Sequence, residues 1–175
     1  MSRYRPPRPK SSPHMTQASF DELSAELKYL WKEKRPEVTA KVAEAAAQGD
    51  RSENAEYIYG KKQLREIDGR IRYLSKTLDN ANVITRLPED RGRVFFGAWV
   101  TTRDLEETDA EPADQRLRLV GADEAGKQPG YISIDSPMAR ALLGKATDDE
   151  ICVNGPGGTR DYVIVQIDYE ESSSK

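Results

Sequence analysis

The nonapeptide GDRSENAEY at residues 49–57 gathers three carboxylates, Asp50, Glu53 and Glu56, in a short stretch. Carboxylate oxygens are the donors that hard divalent cations prefer. Immediately afterwards the chain turns basic, with Lys61, Lys62, Arg65, Arg70, Arg72 and Lys76. Acid for a cation followed by cations for a phosphate backbone is a plausible tool for work on a nucleic acid. A plainer reading fits the same spacing. Asp50 as N-cap with Glu53 three residues on makes a capping box, whose job is to satisfy free backbone donors. The basic run likewise fits a solvated helix face with Glu66 and Asp68 as partners. Two features favour chemistry: acid is concentrated at one point, and that point is the far end of a long arm, where capping matters least to the fold.

Other chemistries have fewer parts. The loop NGPGGT at 154–159 lacks the Lys-Ser/Thr of a phosphate-binding loop and reads as a turn. Ser136 has no histidine in its domain to serve as base. His14 is the one histidine and Cys152 the one cysteine, so a histidine triad, a disulfide framework and a four-thiolate zinc site are all excluded. Cys152 alternates with apolar neighbours, which predicts a buried structural thiol.

The elements that must position the tip are two helices. Ser19 and Glu22 fit a capping box, and Phe20, Leu23, Leu27, Leu30, Val38, Val42 and Ala45 form an apolar stripe. This predicts a helix over 19–47, kinked near Pro36 and ended by Gly49. Leu64, Ile67, Ile71, Leu74 and Leu78 repeat three, four, three, four, which predicts a second helix from about Glu53 to Asn82 with a heptad seam. Two such helices joined by a few residues fold back as an antiparallel hairpin, each about 45 Å long.

From residue 92 the pattern changes to strands: Val94 to Thr101, Arg116 to Val120, Tyr131 to Ile134, Ile151 to Val153 and Tyr162 to Ile167. Ser136-Pro137 starts a short helix and Gly144 stops it. The segment 104–114 reads as an exposed acidic loop. The predicted class is α+β: a coiled-coil hairpin over 16–83, a small domain of mostly antiparallel sheet with one short helix over 92–170, and a tail at 171–175.

Composition agrees. The 175 residues are 33% charged and only 37% hydrophobic, too polar for one large core. No apolar run approaches the ~20 residues that cross a bilayer, and the basic start has no apolar h-region, so a cytosolic protein is expected. Residues 1–15 carry Arg3, Arg5, Arg8 and Lys10 with four prolines and no acid, and read as a disordered basic arm. Setting aside those four of the 27 basic residues leaves 23 against 30 acidic ones. Bulk charge therefore does not attract nucleic acid, and any such contact must come from a local patch.

The blocks GDRSENAEY (49–57), KRPEV (34–38), KKQLREIDGRIRYL (61–74), VFFGAWV (94–100) and YISIDSPMARALLGK (131–145) together closely resemble the Gre family of bacterial transcript cleavage factors, the GreB branch most. The resemblance covers residues 16–170. The basic arm, the acidic loop and the Ser-rich tail depart from the family without touching these motifs. The resemblance implies an N-terminal antiparallel coiled coil and a C-terminal FKBP-like domain. It implies a protein that binds RNA polymerase, puts its coiled coil into the secondary channel and stimulates cleavage of the backtracked RNA 3′ segment; a hairpin seam closed within one chain leaves little reason to dimerise, so a monomer is expected. The two tip carboxylates of the family map onto Asp50 and Glu53. The RNA-contacting basic patch maps onto Lys61, Lys62 and Arg65. The loop docking on the β′ subunit maps onto Asp135, Ser136 and Pro137. Two carboxylates hold Mg²⁺ weakly alone, so the ion is expected only in the complex, where polymerase and RNA supply other ligands. The chain would be a cofactor with half an active site and no nuclease by itself.

Three rivals are weaker. A non-catalytic secondary-channel regulator need not keep both tip acids. A prolyl isomerase needs an aromatic-lined pocket, and the aromatics of 92–170 are largely claimed by a sheet core. A coiled-coil chaperone needs an apolar tip.

Overall fold

A computed structural model describes residues 11–49, 51, 53–106, 114–155 and 158–169. The expectations for residues 1–10, most of the acidic loop and the Ser-rich tail lie outside these, as does Asp50. The chain divides into two compact units, one of residues 18–81 and the other of the segment through Gln17 together with that from Asn82 on.

The first unit is the expected hairpin with altered boundaries. α1 (Gln17–Tyr29) and α2 (Arg35–Ala47) are joined without a break by a π-helical turn at Leu30–Lys34. The sequence predicts a kink at Pro36; the structure places the irregularity one turn earlier. Pro36 has no N–H, and its ring crowds the carbonyl four residues back. The ladder widens there, so that Arg35 N–H reaches back five residues to Leu30 O. Ser19 is not the cap of α1, since the helix begins two residues before it. Gly49 ends the second segment at φ +118°, a backbone that side-chain-bearing residues avoid. α3 (Ala55–Asp79) returns along α2. Its seam is Ile67 and Ile71, with Leu64 alongside, packed on Val38, Val42, Leu27 and Leu30; Leu74, next along the same face, is also buried. Arg35 Nε donates to Asp68 Oδ1 at 2.8 Å, and Arg70 holds both Glu26 oxygens at 2.7 Å. These pairs fix how far one helix slides along the other.

In the second unit β1 (His14–Thr16) pairs in parallel with β2 (Asn82–Ile84). This corrects the disordered arm, whose expected extent included His14 and Met15. Thr16 donates through N and Oγ1 to the two oxygens of buried Glu124, each at 3.0 Å, and Ser12 N donates to Asp135 Oδ2 at 2.8 Å. These bonds hold the segment against the rest of the unit.

The sheet has the order β5-β4-β3-β7-β6, from β3 (Trp99–Asp104), β4 (Gln115–Val120), β5 (Tyr131–Ser133), β6 (Glu150–Gly155) and β7 (Gly158–Asp168). The sheet is mostly antiparallel, as expected: β4 and β5 run parallel, and the other three pairs are antiparallel. Residues 121–130 carry the chain back between those two strands. Val94 to Ala98, expected as strand, is irregular, with a turn at Phe96 and Gly97, and the strand begins at Trp99. Val94 N donates to Lys145 O and accepts through its carbonyl from Gly144 N, both at 2.8 Å, which ties it to the end of α4 (Pro137–Leu142). α4 buries Ala139 and Leu142 against Val100, Leu117, Leu119, Ile151 and Ile164. One short helix on a small sheet is the arrangement the resemblance implies. No described helix is long and apolar enough to cross a membrane.

Candidate functional site

The turn between α2 and α3 carries the tip. The capping reading made Asp50 the N-cap and Glu53 the third helical residue. The structure assigns the cap to Asn54, whose side chain accepts from Tyr57 N at 3.1 Å. Asn54 also donates through Nδ2 to Ala45 O at 3.0 Å, at the end of α2. Glu56 is the acid in the first turn, where the helix dipole favours negative charge. Glu53 therefore lies one residue before the cap and bonds no helical N–H. It is exposed. The capping task proposed for it is done by Asn54, and among the described residues its carboxylate makes no hydrogen bond or ion pair.

The signal for Asn54 was in the sequence. Asn is a strong N-cap residue, and the apolar period of α3 starts just behind it. Asp50 lies outside the described residues, so its separation from Glu53 is not part of this geometry. Among the described residues no three His, Cys, Asp or Glu side chains converge as a metal would require. As hard oxygen donors, Glu53 and Asp50 suit Mg²⁺ in kind but not in number.

Lys61, Lys62 and Arg65 are exposed on α3, and among the described residues none of them is in an ion pair. Lys61 Nζ lies 5.8 Å from the centroid of the Tyr57 ring. Asp68, expected to neutralise this face, is held by Arg35 on the opposite helix. Arg70 belongs to the hairpin, bonded to Glu26 and 5.3 Å from the Tyr73 ring. The basic run thus splits into cations that fasten the helices and cations that face solvent.

At the third set, Ser136 Oγ accepts from Ala139 N at 3.2 Å and caps α4. Pro137 follows as first helical residue and is exposed. Asp135 is half-buried and takes the amide of Ser12. Cys152 corrects another expectation. Ile151 is the member of that strand turned into the core, so Cys152 faces solvent. Its hydrogen bond with Asp161, which would face a thiolate, pushes the thiol pKa up, with desolvation adding to the shift.

Two family models cover nearly all of these elements: the N-terminal domain of the GreA/GreB transcription elongation factors matches residues 14–83, and their C-terminal domain matches 88–169. The chain belongs to the GreA/GreB family of transcription elongation factors. Transcription elongation factor GreB of Pseudomonas aeruginosa is 54% identical over 97% of this chain and 98% of that protein. GreB of Haemophilus ducreyi is 53% identical over 93% of this chain and 97% of its own length. Among solved structures, GreA factor homolog 1 of Thermus thermophilus aligns at 26% identity over 89% of this chain and 97% of that one, with a TM-score of 0.39. In this GreA/GreB family member the hairpin and the sheet unit correspond to the two matched domains, and the resemblance drawn from the motifs is confirmed at the level of family.

Proposed function

We propose that this elongation factor binds RNA polymerase in the cytoplasm as a monomer, inserts its helical hairpin into the secondary channel and stimulates endonucleolytic cleavage of backtracked RNA. The observation that carries this reading is Glu53: an exposed carboxylate at the hairpin turn, with Asn54 rather than itself as the cap, followed on α3 by three exposed cations that are in no ion pair among the described residues. Asp50 lies three residues before it in the chain.

In this reading the long hairpin carries Glu53 and Asp50 to the polymerase active centre, where they would hold Mg²⁺ together with ligands from polymerase and RNA. The bound ion supplies charge neutralisation at the scissile phosphodiester. Lys61, Lys62 and Arg65 would contact the phosphates of the extruded RNA and hold it in line with the tip. Asp135, Ser136 and Pro137 would dock the sheet unit on the β′ subunit at the channel rim. Two carboxylates without a completed shell make poor hydrolytic machinery, so the chain is a cofactor of the polymerase active site. The experiment is to add the purified protein to a backtracked polymerase complex with labelled RNA. Short 3′ fragments are expected. Unaltered RNA, with the factor bound, would instead favour the non-catalytic regulator.

A further inference from the structure

The first segment of the hairpin carries a groove that neither the seam nor the tip accounts for. Ser24, Leu27 and Lys28 of α1, Trp31 and Lys32 of the π-helical turn, and Ser75 of α3 line a space of about 390 Å³. Ser24, Leu27, Lys28 and Trp31 follow helical spacing, so one face supplies most of the lining. Trp31 is 59% exposed, whereas tryptophan is on average a well-buried residue. Half-buried Leu27 adds apolar surface, and half-buried Ser24 and Ser75 bring hydroxyls.

The groups of this groove are not occupied by one another or by neighbours. Among the described residues the Trp31 ring meets neither a cation nor another ring, whereas Tyr57 has Lys61, Tyr73 has Arg70 and Trp99 has two arginines. Lys28 and Lys32 are exposed and, among the described residues, in no ion pair. No acid lines the groove: Glu26 is held by Arg70, and Glu33 and Asp79 fall outside the lining. Arg72, three residues before Ser75, is a further exposed cation on α3. Turns of π-helix are rare, and many lie at functional sites. This one presents Trp31 and Lys32 to the groove.

We propose that this groove binds a free nucleoside di- or triphosphate, its base stacked on Trp31 and its phosphates on Lys28 and Lys32. Every nucleobase has a π-face that an open indole takes whatever the base. Lysine meets phosphate as a point charge, without the fixed approach that a guanidinium fork demands. The volume is at the small end of ligand pockets, which span about 300–1,000 Å³, so it suits one nucleotide better than a chain. In RNA each base brings a single phosphate. A nucleoside triphosphate brings several to one base, which matches two lysines one helical turn apart beside one ring. A peptide interface spreads over more surface than the six lining residues provide. The site is separate from the carboxylates of the tip, and the inference rests on no part of the cleavage reading.

The test is isothermal titration of the full chain with ATP, UTP, adenosine and inorganic triphosphate, with tryptophan fluorescence read alongside. ATP and UTP should both bind and quench. Adenosine and inorganic triphosphate should each bind about tenfold more weakly than ATP, one lacking the charge contacts and the other the stacking. Trp31→Leu keeps an apolar side chain; it should weaken ATP about tenfold, remove most of the quenching and leave inorganic triphosphate unchanged. Lys28→Gln combined with Lys32→Gln should bring ATP down to the level of adenosine and leave adenosine unchanged. All three side chains are exposed, so the variants should fold, which thermal melting verifies. Were a variant to unfold, the comparison of ligands on the wild type still decides. No saturable binding of ATP or UTP overturns the proposal, as does unchanged ATP affinity in Trp31→Leu. Inorganic triphosphate or a poly-glutamate peptide bound as tightly as ATP overturns it too, since charge alone would then explain the contact. A short single-stranded RNA bound more tightly than ATP, and weakened by the same variants, overturns it in favour of an RNA contact.

Discussion

Asn54 Nδ2 donates to the carbonyl of Ala45 at 3.0 Å, so the residue that starts α3 is fastened to the last turn of α2. The same side chain caps α3 through Tyr57 N. Asn54→Ala removes both bonds and should destabilise the hairpin by about 0.5–2 kcal/mol, the usual range for a lost cap. Asn54→Asp keeps the acceptor and loses the donor to Ala45, so its loss should be smaller. Thermal melting reads the stability. Cleavage on stalled elongation complexes should fall in both variants, because Glu53 is the residue just before Asn54 and loses its fixed neighbour.

Glu53→Ala and Asp50→Ala should each abolish transcript cleavage while polymerase binding is retained. Glu53→Ala should shift stability by no more than about 0.5 kcal/mol, since the residue caps nothing. A capping role predicts the reverse, lost stability with cleavage kept. Cleavage near the wild-type rate by Asp50→Asn, at saturating factor, would remove the metal-ligand role.

Lys61, Lys62 and Arg65 lie roughly 12–18 Å along the axis from Glu53 at 1.5 Å per residue, the reach of a few nucleotides. Neutralising all three should impair cleavage of RNA backtracked by about ten nucleotides more than of RNA backtracked by two, and binding of the long segment should weaken with salt. An equal loss on both substrates, or none on either, would leave these residues as surface charge.

Gly60 sits where α3 crosses α2 closely: a Cβ there would lie 2.6 Å from Val42 Cγ2. Alanine is the better helix former by about 1 kcal/mol, yet Gly60→Ala should destabilise the hairpin, because Val42 is stiff at χ1 and overpacking costs about 1–3 kcal/mol. Adding Val42→Ala should recover much of the loss, which a double-mutant cycle of melting curves would measure.

The seam of α3 is legible because Ile67, Ile71 and Leu74 repeat along one helix face, a local pattern. The start of α1 is not. Three residues at 14–16 become a strand only by pairing with 82–84, far along the chain, and that pairing sets where the helix begins. The site shows the same division. Its carboxylates and cations are visible as residue types, but Asp50 and Asn54 both suit an N-cap, and the backbone at Asn54, with φ −79° and ψ 102°, shows which of them starts α3. Cys152 was misplaced by one step of strand alternation, which spacing alone does not phase when neighbours on both sides are apolar.

The π-helical turn at Leu30–Lys34 means that the ascending helix carries one surplus residue. Leu23, Leu27 and Leu30 set a heptad that would next fall at 34, 37, 41 and 44. The residues that pack are Val38, Val42 and Ala45, each one place late. A turn closed by a five-residue bond takes in one residue more than an α-turn, so the insertion is absorbed and the seam on α3 keeps its phase. Deleting exposed Glu33 together with Pro36→Ala should yield an unbroken α-helix with the same partners and little change in melting temperature. Deleting Ala43, beyond the turn, should rotate the last seam residues off α3 and unfold the tip.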